Sequence, residues 1–155
     1  MEYELVVRLL TEADMEATYA LEQKCFSTPW SWEGLYKDVV ENRLATYVGA
    51  FVNGRQVGFG GMWQILDEGF ITNICVEEEQ RGKGYGRFLM ASLLDLALAK
   101  GVKDMTLEVR VGNVPAIHLY QSLGFTAVGV RKGYYKNPKE DAYIMWLSLD
   151  GKPAA

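Results

Sequence analysis

The sequence predicts an α/β fold: one mixed sheet of about seven strands with four helices, in the order β-α-α-β-β-β-α-β-α-β-β. Three observations carry that expectation. Short apolar, β-branched runs alternate with longer segments whose apolar residues recur at helical spacing. Asn53-Gly54 stands between two such runs, the strongest two-residue hairpin signal. Gly82, Gly84 and Gly86 stand at a strand-to-helix junction, after Gly69–Val76 and before an amphipathic stretch.

Glu4–Leu10 reads as the first strand. Thr11-Glu12-Ala13-Asp14 starts a helix, with Thr11 as N-cap and acids in the first turn, running to about Lys24. Ser27-Thr28-Pro29-Trp30 is a turn. Ser31 caps a second helix in which Trp32, Leu35, Tyr36, Val39 and Val40 share one apolar face. Ala45–Val52, Gln56–Leu66 and Phe70–Val76 are strands, with Asp67-Glu68-Gly69 turning between the last two. In the third helix Phe88, Leu89, Ser92, Leu93, Leu96 and Ala97 fall at helical spacing, and Gly101 ends it. Strand Asp104–Arg110 leads to a fourth helix. Asn113 is its expected N-cap, reaching the Ala116 N–H, Pro115 sits in its first turn and Gly124 closes it. Phe125–Val130 and Tyr143–Leu149 finish as strands, joined by a Lys-, Asn- and Pro-rich segment. Residues 1–150 read as one domain and 151–155 as a short C-terminal tail.

A chain of 155 residues is long enough to bury a real core. With 20 acidic and 16 basic residues its formal charge is −4, which argues against binding nucleic acid by phosphate neutralisation. No apolar run approaches the ~18 residues of a membrane span, and no basic-then-apolar leader is visible. A cytoplasmic location is therefore expected, with no membrane partner. One His and two Cys make a metal site unexpected. Cys25 and Cys75 lie among apolar neighbours and read as buried free thiols in a reducing cytosol.

The glycine loop carries the first chemistry. Three glycines before a helix leave N–H groups pointing out of its N-terminus, where the dipole also favours negative charge: a phosphate cradle. Arg81, Lys83 and Arg87 add positive charge. A P-loop needs Ser or Thr after the lysine, and a dinucleotide loop needs the G-x-G-x-x-G rhythm; this stretch has neither. A plain helix-capping turn remains the alternative. The second chemistry lies in Leu107–Phe125. Strand alternation puts Leu107 and Val109 on one face and Glu108 and Arg110 on the other. A mid-strand carboxylate is costly unless paired, solvated or functional. Ala116, Ile117, Tyr120 and Leu123 form an inward stripe, in which Tyr120 taken alone reads as core with its hydroxyl satisfied at the rim.

Arg81-x-x-Gly84-x-Gly86 matches R-x-x-G-x-G, the pyrophosphate loop of the GCN5-related N-acetyltransferases, and the chain resembles that superfamily in element order as well. The stretch from Leu107-Glu108-Val109-Arg110 through Asn113, Ala116 and Leu119-Tyr120 to Gly124-Phe125 resembles one branch, the RimI-like ribosomal-protein alanine N-acetyltransferases. Phe26–Ser31, Asn73–Val76, Gly133-Tyr134-Tyr135 and Glu140–Met145 agree with it. The resemblance implies acetyl transfer from acetyl-CoA to the α-amine of a protein N-terminus, of the ribosomal-protein type, with Glu108 as general base and Tyr120 as general acid. It implies acetyl-CoA contacts at Ile74, Cys75, Val76, Arg81, Gly82, Lys83, Gly84, Tyr85, Gly86, Arg87 and Asn113. It further implies an acceptor groove lined by Trp30, Tyr134 and Tyr135, all three of which also read as ordinary core or hairpin aromatics. Asn113 also reads as a cap alone.

Two alternatives stay open at this level: the same fold acetylating a small amine such as a polyamine or aminoglycoside, and a non-catalytic acyl-CoA-binding module. Retention of both Glu108 and Tyr120 speaks against the second. A ping-pong route through Cys25 or Cys75 is disfavoured, because neither has a His nearby in sequence to act as its base.

Overall fold

The structure is a computed structural model that describes residues 4–151; of the tail expected over 151–155, only Gly151 lies within them. The elements are β1 (Leu5–Leu9), α1 (Met15–Cys25), α2 (Trp32–Tyr36), β2 (Ala45–Val52), β3 (Arg55–Ile65), β4 (Glu68–Val76), α3 (Tyr85–Ala99), β5 (Asp104–Arg110), α4 (Val114–Ser122), β6 (Thr126–Lys136) and β7 (Lys139–Ser148). Their order is the one the sequence predicts. The strands form one sheet in the order β1-β2-β3-β4-β5-β7-β6. Every adjacent pair is antiparallel except β4 and β5.

Local chemistry explains most boundaries. Asp14 reaches back to accept the Thr11 N–H at 2.7 Å before α1, and Ser31 Oγ accepts the Gly34 N–H at 3.1 Å. Asn53 and Gly54 both take positive φ, as their hairpin turn requires. Asn113 Oδ1 accepts the Ala116 N–H at 3.3 Å with Pro115 in the first turn.

Each face of the sheet carries its own core. On one, Leu89, Met90, Leu93 and Ala97 of α3 pack with Val57, Met62, Met105, Leu107 and Met145. On the other, Leu21 of α1 packs with Tyr47, Phe59 and Cys75. A fully buried leucine such as Leu93 contributes about 2–3 kcal/mol by transfer alone, so the two faces hold the sheet rigid between them.

Four expectations are corrected. The second helix stops at Tyr36 and continues as a π-helical turn, 37–41. That wider turn rotates the following residues, so Val40 is exposed while Asp38 is buried. Phe88 is half exposed, leaving Leu89, Leu93 and Ala97 as the inward stripe of α3. The segment expected to link the last two strands is itself strand. β6 and β7 run to a tight turn at Asn137-Pro138, with the ladder broken between Arg131 and Tyr135. Proline fits there because a turn needs no ladder N–H. Finally, Cys25 and Cys75 are bonded to each other rather than free. α1 lies across β4 and brings their Cα atoms to 6.0 Å, within bridging reach.

Candidate active site

The site begins where β4 leaves β5. These strands pair only over Glu68–Phe70 and Asp104–Thr106. Opposite, β3 shifts register between Gly61 and Met62, so that Thr72 is an extra residue on β4. Such a bulge bends and twists its strand. From Ile71 onward β4 keeps its β3 partners and diverges from β5, well before the glycine loop. Glu77 N–H donates to Val57 O at 2.8 Å. By strand alternation Cys75 and Asn73 turn their backbone groups toward β3, while Ile74 and Val76 turn theirs into the opening.

The glycine loop closes the end of that opening. Gly82 and Gly84 have φ of +80° and +85°, and Gly84 is the N-cap of α3. A Cβ built on either would meet nothing within 4 Å, so the loop's outer face is open. A Cβ on Gly86 would lie 3.4 Å from Leu119 Cδ2, so α3 approaches α4 closely here. The first turn of α3 directs N–H groups out of its end. The charged residues are less uniform than the sequence suggests. Arg81 folds back to donate from Nε to Val76 O at 3.1 Å, bracing loop to strand. Lys83 Nζ reaches Gln80 Oε1 at 2.9 Å. Arg87 donates to Ser122 Oγ, tying α3 to α4. The Tyr85 ring is buried in the core, leaving only its backbone toward the loop. Asn113 is engaged as the cap of α4. An open, glycine-turned helix start beside strand-edge amides suits a pyrophosphate attached to an extended chain.

Glu108 lies on β5 across the opening. Its neighbours Leu107 and Val109 are buried on the α3–α4 face, which puts Glu108 and Arg110 on the α1 face. Its Oε1 is 3.3 Å from Arg131 Nε on β6, and its side chain is 27% exposed. Tyr120, on α4, comes from the other face. It packs edge-to-face on Phe125 with ring centres 6.0 Å apart, and burial, with Tyr135 nearby, pushes its hydroxyl up to about 12. Burial also raises Tyr135, to about 12, and Tyr134, Glu108 and Glu140 add to the rise while Arg110 opposes it. Tyr134 and Tyr135 pack edge-to-face at 5.0 Å. Tyr135 thus interacts with Tyr120 from one face of the sheet and with Glu108 from the other.

Trp30 stands apart from the tyrosine pair, on the α1 side. Its N–H donates to Glu22 Oε2 at 3.0 Å, and its carbonyl accepts Gln23 Nε2 at 2.9 Å. Glu22 is 1% exposed, and its Oε1 accepts Asn73 Nδ2 at 3.0 Å. Burial raises its carboxyl against the two donors that lower it. The network continues through Tyr47, which lies 3.2 Å from Asn73 Oδ1 and bonds Asp38, to Trp63 Nε1, 2.9 Å from Asp38 Oδ2. Sequence reasoning missed Glu22, Asp38 and Arg131. Glu22 had a signal: it falls four residues after Thr18 and seven after Met15, on the inward side of α1. Asp38 and Arg131 had none, because a π turn and a broken ladder set their directions.

The sheet opens at the one parallel pair among the described strands, with a glycine-turned helix start in the opening, and the comparisons with known proteins identify the chain as an acetyl-CoA-dependent N-acetyltransferase. The model of the Acetyltransferase (GNAT) family matches residues 11–125, and the chain belongs to that family. It is 35% identical over 150 residues to the putative ribosomal protein bS18-alanine N-acetyltransferase of Bacillus subtilis, covering 97% of this chain and 99% of that one. It is 35% identical over 144 residues to the ribosomal protein bS18-alanine N-acetyltransferase of Escherichia coli strain K12, covering 90% and 95%. The crystal structure of the ribosomal-protein-S18-alanine N-acetyltransferase from Escherichia coli superposes with a TM-score of 0.87 at 32% identity, covering 98% and 97%.

Proposed function

We propose that this enzyme transfers the acetyl group of acetyl-CoA to the N-terminal α-amine of a protein with a small first residue, alanine or serine, of the ribosomal-protein type. The observation that carries the reading is Glu108, held on β5 beside the tyrosine pair at the opening, in a chain similar over nearly its whole length to bS18-alanine transferases. The strand edge at Ile74–Val76, the loop 81–87 and the start of α4 at Asn113 would hold acetyl-CoA, which supplies the activated acetyl thioester. No metal is needed for this chemistry.

An amine attacks only when neutral. An α-amine with pKa ~7.8 is neutral to ~10–15% at pH 7, against well under ~0.1% for a lysine amine. Glu108 takes the proton, directly or through one water, as the new N–C bond forms. The Val76 N–H, turned into the opening, faces the charge that gathers on the carbonyl oxygen. As the C–S bond breaks, Tyr120 gives its proton to the departing sulfur. The bond between Cys25 and Cys75 leaves neither sulfur free as a nucleophile, which supports direct transfer. Trp30 and the pair Tyr134 and Tyr135 would form opposite walls of the acceptor groove. A cytoplasmic site of action fits such an acceptor.

Steady-state assays with short peptides differing in their first residue, beside spermidine, test this. Ala- and Ser-initiated peptides are expected to show the highest kcat/KM. Preference for spermidine, or for N-terminally blocked lysine peptides, would overturn the reading.

A further inference from the structure

Arg110 lies two residues beyond Glu108, on the same face of β5, and its guanidinium joins segments far apart in the chain. Nη1 donates to Pro138 O at 2.9 Å and to Glu140 Oε1 at 3.2 Å. Nη2 donates to Asn137 O at 3.2 Å and reaches Ser27 Oγ in the α1–α2 loop at 3.4 Å. Its plane lies 4.2 Å from the centre of the Tyr135 ring. The other Glu140 oxygen accepts the Gly112 N–H at 2.7 Å, so the carboxylate anchors the turn to the end of β5. Tyr135 packs on Tyr134, whose ring lies 5.8 Å from the Arg131 guanidinium that pairs with Glu108. One side chain therefore links the tip of the last hairpin, the loop leading to Trp30 and the aromatic wall beside the carboxylate.

We propose that Arg110 is a positioning residue that sets the acceptor groove for a peptide, fixing the distance between the α1–α2 loop and the β6–β7 hairpin. This rests on the peptide-acceptor reading above and adds how the chain holds that groove to width. The fork geometry matters. A planar guanidinium offers donors in several directions while stacking on a ring; an ammonium satisfies fewer partners and does not stack in the same way. The Arg110 side chain bonds none of Ile74–Val76 or 81–87; of the residues proposed to hold acetyl-CoA, Asn113 meets it through the backbone alone, its N–H donating to the Arg110 carbonyl at 3.0 Å. Loosening the arginine should therefore affect one substrate and spare the other.

The test uses the full chain and an Ala-initiated peptide of six or so residues. Arg110→Met and Arg110→Lys are each expected to raise the peptide KM about 10–100-fold, the scale of misplacing a positioned substrate. Acetyl-CoA affinity by calorimetry should stay within about twofold of wild type, as independent sites allow. Glu140→Gln should shift the peptide KM in the same direction by less, and its effect should be non-additive with Arg110→Met. It also serves as the readout if Arg110→Met does not fold. Rescue by Arg110→Lys, a peptide KM unchanged in Arg110→Met and Glu140→Gln, or equal weakening of peptide and acetyl-CoA would overturn the proposal. A wild-type enzyme that ignores the peptide would overturn the acceptor reading first; one that uses it equally well in every variant would overturn the role of Arg110 alone.

Discussion

The two sides of the opening are built differently. The side proposed for acetyl-CoA is local: the end of β4, the glycine turn and the first turn of α3 are consecutive in the chain, and they present mostly backbone groups. The side proposed for the acceptor is assembled from β5, the α1–α2 loop and the β6–β7 hairpin by side chains: Arg110, Arg131, Glu140, Tyr134 and Tyr135. A backbone-built site is sensitive to any Cβ or charge and tolerant of side-chain identity. A side-chain-built site is sensitive to single atoms and to the length of each reach. Pyrophosphate is the same in every reaction of this class, whereas the acceptor varies, so the adjustable half is the one made of side chains.

The largest effect is expected on the local side. Gly84→Asp and Gly86→Asp should abolish acetyl-CoA binding by calorimetry while the fold persists by circular dichroism. Each places a carboxylate at the helix start, and at Gly84 the φ of +85° adds strain. Unchanged affinity in both would move the cofactor elsewhere and dissolve the contrast between the two sides.

Next comes the pair that spans the opening. Glu108→Gln and Tyr120→Phe should each lower kcat about 10²-fold or more, the usual worth of a positioned acid or base. The glutamine variant should recover partly at high pH, where more α-amine is already neutral. The phenylalanine variant should keep acetyl-CoA affinity, because the ring and its packing on Phe125 remain. The two losses should not multiply if both groups act in one transition state. A pH–rate profile for Glu108→Gln parallel to wild type, or full activity in Tyr120→Phe, would reduce them to structural residues.

The smallest effect sharpens how the acceptor loop is held. Glu22→Gln keeps one acceptor oxygen where two donors, Trp30 N–H and Asn73 Nδ2, now converge. A lost buried bond of this kind costs about 1–3 kcal/mol, read as a lower denaturant midpoint. Burial holds the Glu22 carboxyl above its ordinary value, so the native state binds this proton more tightly than the unfolded chain does. Its contribution is thus fully present below the unfolded carboxyl pKa and declines as pH rises through the raised native one. Glutamine has no such titration. The stability gap between wild type and Glu22→Gln should therefore be wider near pH 4 than near pH 7. A gap that widens with pH would mean that the two donors outweigh burial.

Legibility followed the same division. The glycine loop, the Asn53-Gly54 turn and the Asn113 cap could be read because each depends on neighbours within a few residues. The placement of Glu108 and Arg110 on one strand face followed from alternation alone. Where the chain departs from regular geometry, period reasoning failed. The π turn after α2 exchanged Val40 for Asp38, and the irregular β6–β7 ladder turned an expected linker into the strand pair that carries Tyr134 and Tyr135. The cysteines could be read singly but not as a pair, since 50 residues separate them and only the packing of α1 on β4 joins them.

The sequence by itself determined the order of elements, the glycine turn at the start of α3 and the residue types available for acid–base chemistry, because periodicity and backbone permissiveness are local properties. Tertiary structure decided where the sheet opens, through the extra residue at Thr72 on β4, and which side chains face each other across that opening. It also decided the partners of Glu108, Glu22 and Arg110. The contacts Glu108–Arg131, Glu22–Asn73 and Arg110–Ser27 cross 23, 51 and 83 positions along the chain, and no pattern within one element encodes a meeting that only the packing of several elements creates.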